Sequence, residues 1–402
     1  MAKTHHPTPE PTGKFRLGLL AKVIIAIILG IIVGKISPEW FARASDTVNV
    51  LFSNLLGFMI PLIIVGLVAP GIAELGRGAG RLLAVTAALA YGSTLFSGFF
   101  AYFACRPIFA RLIQNAPSSP FSGSEAPEQL LAPFFRVEIP PLMDVMSALV
   151  LAFALGLGLA VSRGNALRNA LSDFKEVIEF LIVKLIIPLL PLYIFTIFVQ
   201  LTQSGQVAQI FGVFYKVVLI IFALHLLLLL IQFTVAGLFS GRHPFKMLRT
   251  MLPAYLTALG TQSSAATIPV TLKQVLSMGI RPEVAQFTVP LCATIHLAGS
   301  TLKIVCCAMA IMYMQGLPFT FGLFAGFIAL LGIAMVAAPG VPGGAIMAAV
   351  GVLQSILGFN EQSIALMIAL YIAMDSFGTA GNVTGDGAIA VVVNKITGKD
   401  NG

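Results

Sequence analysis

Four polar residues near the end of the sequence recur at intervals of four, three and four: Asp375, Thr379, Asn382 and Asp386. Because residues three and four apart share one face of an α-helix, this spacing predicts a single polar stripe. The flanking segment is apolar, and an ionised aspartate at the centre of a bilayer costs about 3 kcal/mol. Each carboxylate therefore needs a cation, a substrate or a water-filled cavity. The stripe predicts a binding site for cations and a cationic group; the alternative is a buried polar network that only ties helices together.

Three glycines, Gly378, Gly381 and Gly385, alternate with the polar stripe. A glycine has no side chain to cover its backbone, so we expect carbonyl oxygens to be exposed beside the stripe. Hard cations prefer oxygen ligands of this kind.

The composition predicts that membrane helices position this stripe. Of the 402 residues, 58% are hydrophobic and 10% are charged, whereas about 25% are charged in a typical soluble domain. In hydrocarbon an α-helix satisfies its own backbone hydrogen bonds. A helix needs about 20 residues to cross a bilayer. Apolar runs of about this length lie at Leu17–Ile36, Val48–Ile72, Leu82–Cys105, Met143–Val161, Val177–Leu201 and Ile210–Phe239. The apolar pattern after them, in the C-terminal part, is more interrupted.

The charge pattern predicts an orientation. The net charge is +8, and most basic residues fall on one side of the membrane if the N-terminus is cytoplasmic. We therefore expect both termini in the cytoplasm of a multi-pass protein of the plasma (inner) membrane, and the charge gives no reason to invoke nucleic acid. Residues 1–16 are polar and proline-rich, which predicts a disordered cytoplasmic tail rather than a cleaved signal peptide.

Two segments interrupt the apolar pattern and predict re-entrant hairpins. "LPAYLTALGTQSSAATI" covers 252–268, and "IAMVAAPGVPGGAIM" covers 333–347. Proline and glycine break a helix where a uniform span would continue. Each hairpin precedes an interrupted helix, "VPLCATIHLAGSTLK" and then "AMDSFGTAGNVTGDG". Hairpin plus broken helix, found twice, is typical of inverted-repeat transporters with a site at the bilayer midplane; the alternative is close helix packing by small residues.

These motifs carry a resemblance to a known family. "GTQSSAATIPVTL", "PGVPGG" and "DSFGTAGNVTGD" resemble the first hairpin, the second hairpin tip and the last helix of the glutamate/aspartate and neutral amino acid transporters, the dicarboxylate/amino acid:cation symporters. The resemblance runs from about residue 249 to 395. It implies an all-α polytopic fold of eight transmembrane helices plus two re-entrant hairpins, with inverted repeats, scaffold and transport domains, an elevator mechanism and a homotrimer.

The resemblance also implies a domain division. Residues 17–248 would be mainly scaffold, with the helices near 82–105 and 210–239 joining the transport domain. The transport core would span 249–395, with hairpin 1 at about 250–276, a broken helix at about 283–313, hairpin 2 at about 320–357 and the last helix at about 361–395.

Site residues follow from the same resemblance. Asp375 would hold the substrate's α-ammonium, and hairpin 2 would close over it as a gate. The implied substrate-binding set is Ser263, Ser264, Ser300, Gly340, Val341, Pro342, Gly343, Asp375, Gly378, Thr379 and Asn382. The implied sodium site, partly of backbone atoms, consists of Asp386, Asn382, His296 and Thr294. No cofactor is expected; Na⁺, H⁺ or both would be the coupling ion, and membrane lipid would surround the protein.

Departures from the family pattern favour a small neutral amino acid as substrate. Acidic-substrate members carry an arginine, a bidentate partner for a carboxylate, where this sequence has Gly378. Gln262 likewise replaces an arginine found in some members. Ala298 stands where the family has an aspartate that serves one sodium site. Ser93 and Thr94 resemble the remaining ligands of that site, but without the acid we expect fewer coupled sodium ions.

Two basic residues open a second possibility for coupling. His296 replaces the motif's asparagine, and Lys303 lies seven residues further along the same helix face. Histidine titrates near neutral pH, and a buried lysine can replace a bound cation or carry a proton. The alternative is that His296 bonds a nearby carbonyl and Lys303 extends toward an interface.

The sequence thus predicts a cation-coupled symporter of a neutral amino acid and not an enzyme. An amino acid exchanger, or a symporter of dicarboxylates or acidic amino acids held by Lys303 or Gln262, remains open within the transporter class. An ion channel is the alternative outside it. An intramembrane enzyme pairing Asp375 with Asp386 is disfavoured, because 11 residues separate them by about 16 Å along a helix.

Overall fold

The computed structural model describes residues 18–75, 81–113, 133–162, 164–205, 207–317, 320–336 and 338–398, and the predicted tail at 1–16 lies outside them. Every regular element in these ranges is a helix. In chain order they are α1 (Leu19–Ile36), α2 (Glu39–Leu75), α3 (Arg81–Ile113), α4 (Val145–Val161), α5 (Ala166–Leu181), a π-helical turn (Ile182–Ile186), α6 (Ile187–Gln203), α7 (Val207–Ser240), α8 (Pro244–Thr261), α9 (Ser264–Ser277), α10 (Pro282–Ile295), α11 (Ala298–Gln315), α12 (Phe321–Val336), α13 (Gly344–Leu357), α14 (Glu361–Ala373) and α15 (Asp375–Thr397).

Several of these helices are long and apolar enough to cross a membrane, which confirms the prediction of an all-helical membrane protein. Within the described ranges six stretches qualify, namely Leu19–Ile36, Glu39–Ala73, Arg81–Arg111, Ala166–Gln203, Ile210–Ser240 and Pro282–Gln315. Helices α14 and α15 together would make a seventh span with a bend of 62°. Helix α4 is apolar but shorter, at 17 residues, or about 26 Å.

Both predicted hairpins are pairs of helices packed side by side. Helices α8 and α9 are joined at Gln262 and Ser263, and Gln262 takes a left-handed conformation with φ 54°. The Ser263 side chain accepts a hydrogen bond from the backbone N–H of Ala266 and so caps α9. Helix α8 begins at Pro244, earlier than the predicted start near residue 250, because proline is favoured in the first turn of a helix.

The second hairpin consists of α12 and α13, which also pack on each other. Its tip includes Pro339, Gly340, Pro342 and Gly343, and Gly343 has φ +77°, a conformation that favours glycine. The proline and glycine cluster read from the sequence therefore ends one helix and starts the next at the tip.

Two interrupted helices follow the hairpins, as the sequence predicts. Helix α10 ends before His296 and α11 begins at Ala298, while α14 and α15 are separated by Met374. The break before α11 leaves backbone N–H groups without partners in their own helix. Asn382 on α15 accepts hydrogen bonds from two of them, at Gly299 (2.8 Å) and Ser300 (3.2 Å).

Helix α15 lies at the centre of the C-terminal half. It packs against α3, α7, α8, α9, α10 and α11, and almost every side chain from 378 to 393 is buried. Helix α3 also packs along α11, whereas α1 packs on α6 and α2 packs on α4, α5 and α6. The polar stripe thus lies inside the protein and not toward lipid.

Candidate functional site

A small polar cavity lies where the two hairpin tips meet the two interrupted helices. Its volume is about 20 Å³, which is room for one water molecule. The lining residues are Gln262, Ser264, Ala293, Thr294, Leu297, Ser300, Ala338, Pro339, Gly340, Val341, Ala345, Tyr371, Asp375, Thr379 and Asn382. All of the interrupted elements predicted from sequence contribute to it.

Asp375 is the charged group of this cavity, and both of its oxygens have partners. Lys303 Nζ lies 3.3 Å from Oδ1, and the backbone N–H of Gly343 donates to Oδ2 at 2.8 Å. The Lys303 ammonium also donates to the carbonyl of Tyr371 (3.3 Å) and lies 3.3 Å from the centre of the Tyr371 ring. The carboxylate is therefore neutralised by a buried cation and tied to the tip of hairpin 2.

A network of neutral polar groups forms another side of the cavity. Asn382 Nδ2 donates to Ser300 Oγ at 3.0 Å, and Ser300 Oγ lies 3.1 Å from the Tyr371 hydroxyl. Thr379 lines the cavity one turn before Asn382. These groups can donate to a carboxylate and accept from an ammonium, which is the chemistry that recognises a zwitterion.

The hairpin tips are joined directly across the cavity. Ser263 Oγ donates to the carbonyl of Gly340 at 3.0 Å, which links hairpin 1 to hairpin 2. Gln262 Nε2 donates to Ser376 Oγ at 2.8 Å, which links hairpin 1 to α15. The structure is consequently closed over the cavity.

A second polar cluster surrounds Asp386, farther along α15. His296 Nδ1 contacts Asp386 Oδ1 at 2.9 Å, and His296 Nε2 contacts Ser93 Oγ at 3.0 Å. Gln232 Nε2 donates to the same Ser93 oxygen at 3.0 Å. If the Ser93 hydroxyl donates to Nε2, the imidazole is neutral and its Nδ1–H donates to an ionised Asp386.

Comparison with known proteins gives the family. A family model described as the sodium:dicarboxylate symporter family matches residues 19–396. The chain belongs to the sodium:dicarboxylate symporter family. The resemblance read from the sequence motifs is therefore confirmed, and this symporter family member is an integral membrane transport protein.

Curated relatives of this symporter family member match along nearly the whole chain. Serine/threonine transporters SstT from Acinetobacter baumannii strains AYE, AB307-0294 and AB0057 are each 26% identical to it over 382 residues. The matched region covers 92% of this chain and 95% of each relative.

The sequence-predicted site residues of this symporter fall into three groups. Those lining the cavity are Ser264, Ser300, Gly340, Val341, Asp375, Thr379, Asn382 and Thr294. Those adjoining it are Ser263, Pro342, Gly343, Gly378 and Lys303. His296 and Asp386 belong to the second cluster, and the Thr294 hydroxyl donates to the carbonyl of Leu291 in its own helix.

Two of the stripe glycines make room for side chains, where we expected exposed carbonyls. A Cβ at Gly378 would lie 2.9 Å from Lys303 Nζ, and a Cβ at Gly385 would lie 2.7 Å from His296 Cε1. The alternative expectation is that His296 bonds a nearby carbonyl and that Lys303 extends toward an interface. Neither side chain does so. Both instead contact the two aspartates of the stripe.

Sequence reasoning missed three polar residues around the two clusters. Tyr371 lies four residues before Asp375, but the break at Met374 interrupts the helical repeat. His225 Nε2 contacts the carbonyl of Gly299 at 2.8 Å, and Gln232 belongs to the Asp386 cluster. These two are seven residues apart in an apolar run of α7, and that helical spacing is the signal that could have identified them.

Proposed function

We propose that this protein is a sodium-coupled symporter of a small neutral amino acid, and that it works by an elevator mechanism. The single observation that carries the proposal is the buried Asp375 carboxylate, which faces a cavity closed by the tips of two hairpins. A carboxylate buried at such a site needs a positive partner. Lys303 is that partner in the structure, and the α-ammonium of an amino acid would take its place when substrate binds.

The opposite end of a zwitterion also finds suitable groups. Ser264 is the first residue of α9 and lines the cavity. A helix N-terminus favours negative charge because its backbone N–H groups point outward. Together with the Ser300 and Thr379 hydroxyls, this end of the cavity suits an α-carboxylate.

In the part of the chain that the structure describes, the cation next to Gly378 is paired with Asp375, which supports a substrate with a neutral side chain. The sequence has no arginine after Arg281. Lys303, the basic residue beside the cavity, is engaged with Asp375 at 3.3 Å. The relatives named serine/threonine transporters agree with a small polar substrate.

Sodium is the proposed coupling ion, in line with the description of the family. Asp386 would supply a carboxylate oxygen, and backbone oxygens near Thr294, His296 and Asn382 would complete a set of hard ligands. Because His296 contacts Asp386 Oδ1 at 2.9 Å, a sodium ion bound there would share this carboxylate with the imidazole. Ala298 adds no carboxylate, so a second sodium site at that position is not proposed.

The packing pattern supports a moving unit. Helices α3 and α7 pack with α8–α15, whereas α1, α2, α4, α5 and α6 pack mainly with each other. We propose that the first group is the transport domain, the second is the scaffold, and three copies assemble through their scaffolds in the inner membrane with both termini in the cytoplasm. Exchange without net coupling and uptake of a dicarboxylate are the competing functions, the latter because Lys303 is a cation at the site.

A panel of ligands tested by thermal stabilisation separates these functions. Protein purified in detergent is melted with L-serine, L-threonine, L-alanine, L-aspartate or succinate, with and without sodium. A ligand at about 100 times its Kd stabilises the folded state by about 2.7 kcal/mol. We expect stabilisation by the neutral amino acids in sodium and none by succinate.

Two variants test whether the thermal stabilisation comes from ligand bound at Asp375. Asp375→Asn should abolish the stabilisation, because the amide offers no charge to an ammonium group. The control is Asp173→Asn, since Asp173 is an exposed aspartate on α5. A full response in Asp375→Asn would show that the ammonium site lies elsewhere, and stabilisation by succinate alone would favour the dicarboxylate function.

A further inference from the structure

The Lys303 side chain is a buried cation beside the proposed ammonium site. It is fully buried on α11, and its ammonium lies within 3.3 Å of Asp375 Oδ1, the Tyr371 carbonyl and the centre of the Tyr371 ring. A carbonyl, a carboxylate and an aromatic face are the groups that bind an ammonium ion. Lys303 therefore fills an ammonium site built from α14 and α15.

This arrangement coincides with closure of hairpin 2. While Lys303 holds Oδ1 of Asp375, the Gly343 N–H of the hairpin tip holds Oδ2 at 2.8 Å. The cavity left beneath the tip is about 20 Å³, which is too small for any amino acid. The tip of hairpin 2 is thus closed over a cavity without room for an amino acid, and the carboxylate in that cavity is already neutralised.

The local packing is shaped around the lysine. A Cβ at Gly378 would approach Nζ to 2.9 Å and Cε to 3.2 Å, so glycine leaves the space that the ammonium group uses. The contact with Asp375 joins residues on α11 and α15, two helices that pack along each other. Without Lys303, closure would bury an unpaired carboxylate, which is strongly unfavourable.

We propose that Lys303 is a tethered counter-cation, which replaces the substrate ammonium on Asp375 whenever the site is empty. This inference rests on the proposed function, because it takes Asp375 to be the ammonium site. The substrate displaces the lysine on binding, and the lysine returns to Asp375 when the substrate leaves. The empty transport domain can then close and move back, so the protein catalyses net uptake as well as exchange.

Removal of the Lys303 ammonium should affect exchange and net uptake differently. In exchange, every crossing carries a substrate ammonium on Asp375, whereas net uptake also needs the empty site to close and return. We therefore expect Lys303→Met to slow net uptake far more than exchange. Lys184→Met is the control, because Lys184 is exposed in the π-helical turn and does not line the cavity.

The experiment uses the full chain in proteoliposomes with labelled L-serine. Exchange is measured in vesicles loaded with L-serine, and net uptake in vesicles without amino acid under a sodium gradient. The ratio of exchange to net uptake should rise at least tenfold in Lys303→Met and stay unchanged in Lys184→Met. An unchanged ratio in Lys303→Met overturns the inference.

A second measurement reports on the empty gate and does not need transport. Val341→Cys places a thiol at the hairpin 2 tip, and the four native cysteines are buried. Without substrate, labelling of this thiol should be at least tenfold faster when Lys303→Met is added. Equal labelling overturns the inference, as does loss of L-serine binding in Lys303→Met, since the lysine would then be a substrate ligand. If the unaltered protein transports L-serine in neither mode, the proposed function fails instead.

Discussion

The contact between Gly385 and His296 allows one prediction to be worked out from distances. A Cβ at Gly385 would lie 2.7 Å from His296 Cε1 and 2.9 Å from Gln232 Oε1. Carbon atoms attract at about 3.5 Å or more, so Gly385→Ala must move the ring by about 0.8 Å. Because hydrogen bonds to Asp386 (2.9 Å) and Ser93 (3.0 Å) hold both ring nitrogens, such a shift breaks one of them.

The expected cost follows from two terms. Loss of a hydrogen bond to a charged group costs about 1.5–3 kcal/mol, and overpacking of a filled site costs about 1–3 kcal/mol. Gly381→Ala is the matched control, one turn away on the same helix. Its Cβ would make ordinary contacts, 3.6 Å from Gly299 Cα and 3.7 Å from His225 Cδ2. Both variants gain about 1 kcal/mol of helix propensity, which cancels in the comparison.

We therefore expect Gly385→Ala to be about 2.5–6 kcal/mol less stable than Gly381→Ala. At about 2 cal/mol/K of unfolding entropy per residue, this gap is about 3–7 °C in melting temperature for a chain of 402 residues. Thermal unfolding of both variants in detergent without ligand measures it. The sodium concentration that gives half-maximal stabilisation should also rise only in Gly385→Ala. Equal melting temperatures would show that the imidazole is not held as described.

Three further outcomes are expected. Ser263→Ala removes the hydroxyl that donates to the Gly340 carbonyl at 3.0 Å. Loss of this hydrogen bond should destabilise the closed state by about 1 kcal/mol, so the thiol of Val341→Cys should be labelled about fivefold faster. An unchanged labelling rate would show that this hydrogen bond does not hold the two hairpins together. Gly378→Arg combined with Lys303→Met should create thermal stabilisation by L-aspartate that neither single variant shows, because a guanidinium then replaces the ammonium beside the cavity. Hydrogen bonds from the first turn of α4 hold the pKa of Asp144 below its ordinary value, so this cap should stabilise α4 above about pH 4 and lose its effect in stronger acid. Melting temperatures of Asp144→Ala and the parent should accordingly converge as the pH falls from 7 to 3, and a constant difference would contradict the assignment.

Local signals explain why the interrupted elements could be predicted. Proline and glycine act within a few residues, so the tip at 338–343 and the start of α9 after Ser263 follow from short segments. The polar stripe of α15 likewise needs only the helical repeat. The roles of individual residues in binding substrate and sodium follow only from the resemblance to the family, and they stay predictions.

The partners of the charged residues could not be predicted in the same way. Lys303 meets Asp375 across 72 residues of sequence, and His296 meets Asp386 across 90. Such contacts depend on how α11 packs along α15, which no periodicity specifies. For the same reason, Gly378 and Gly385 could be recognised as special positions, but the side chains that fill the space beside them could not.

The hydrogen bonds of Asn382 limit how selectivity can be redesigned. Its side-chain oxygen accepts from the backbone N–H groups of Gly299 and Ser300, and its nitrogen donates to Ser300 Oγ. Any replacement that recognises a new substrate at this position also strips α11 of its cap. A side chain introduced at Gly378 leaves the Asn382 hydrogen bonds in place but meets the Lys303 ammonium, so selectivity redesigned there should change net uptake more than exchange.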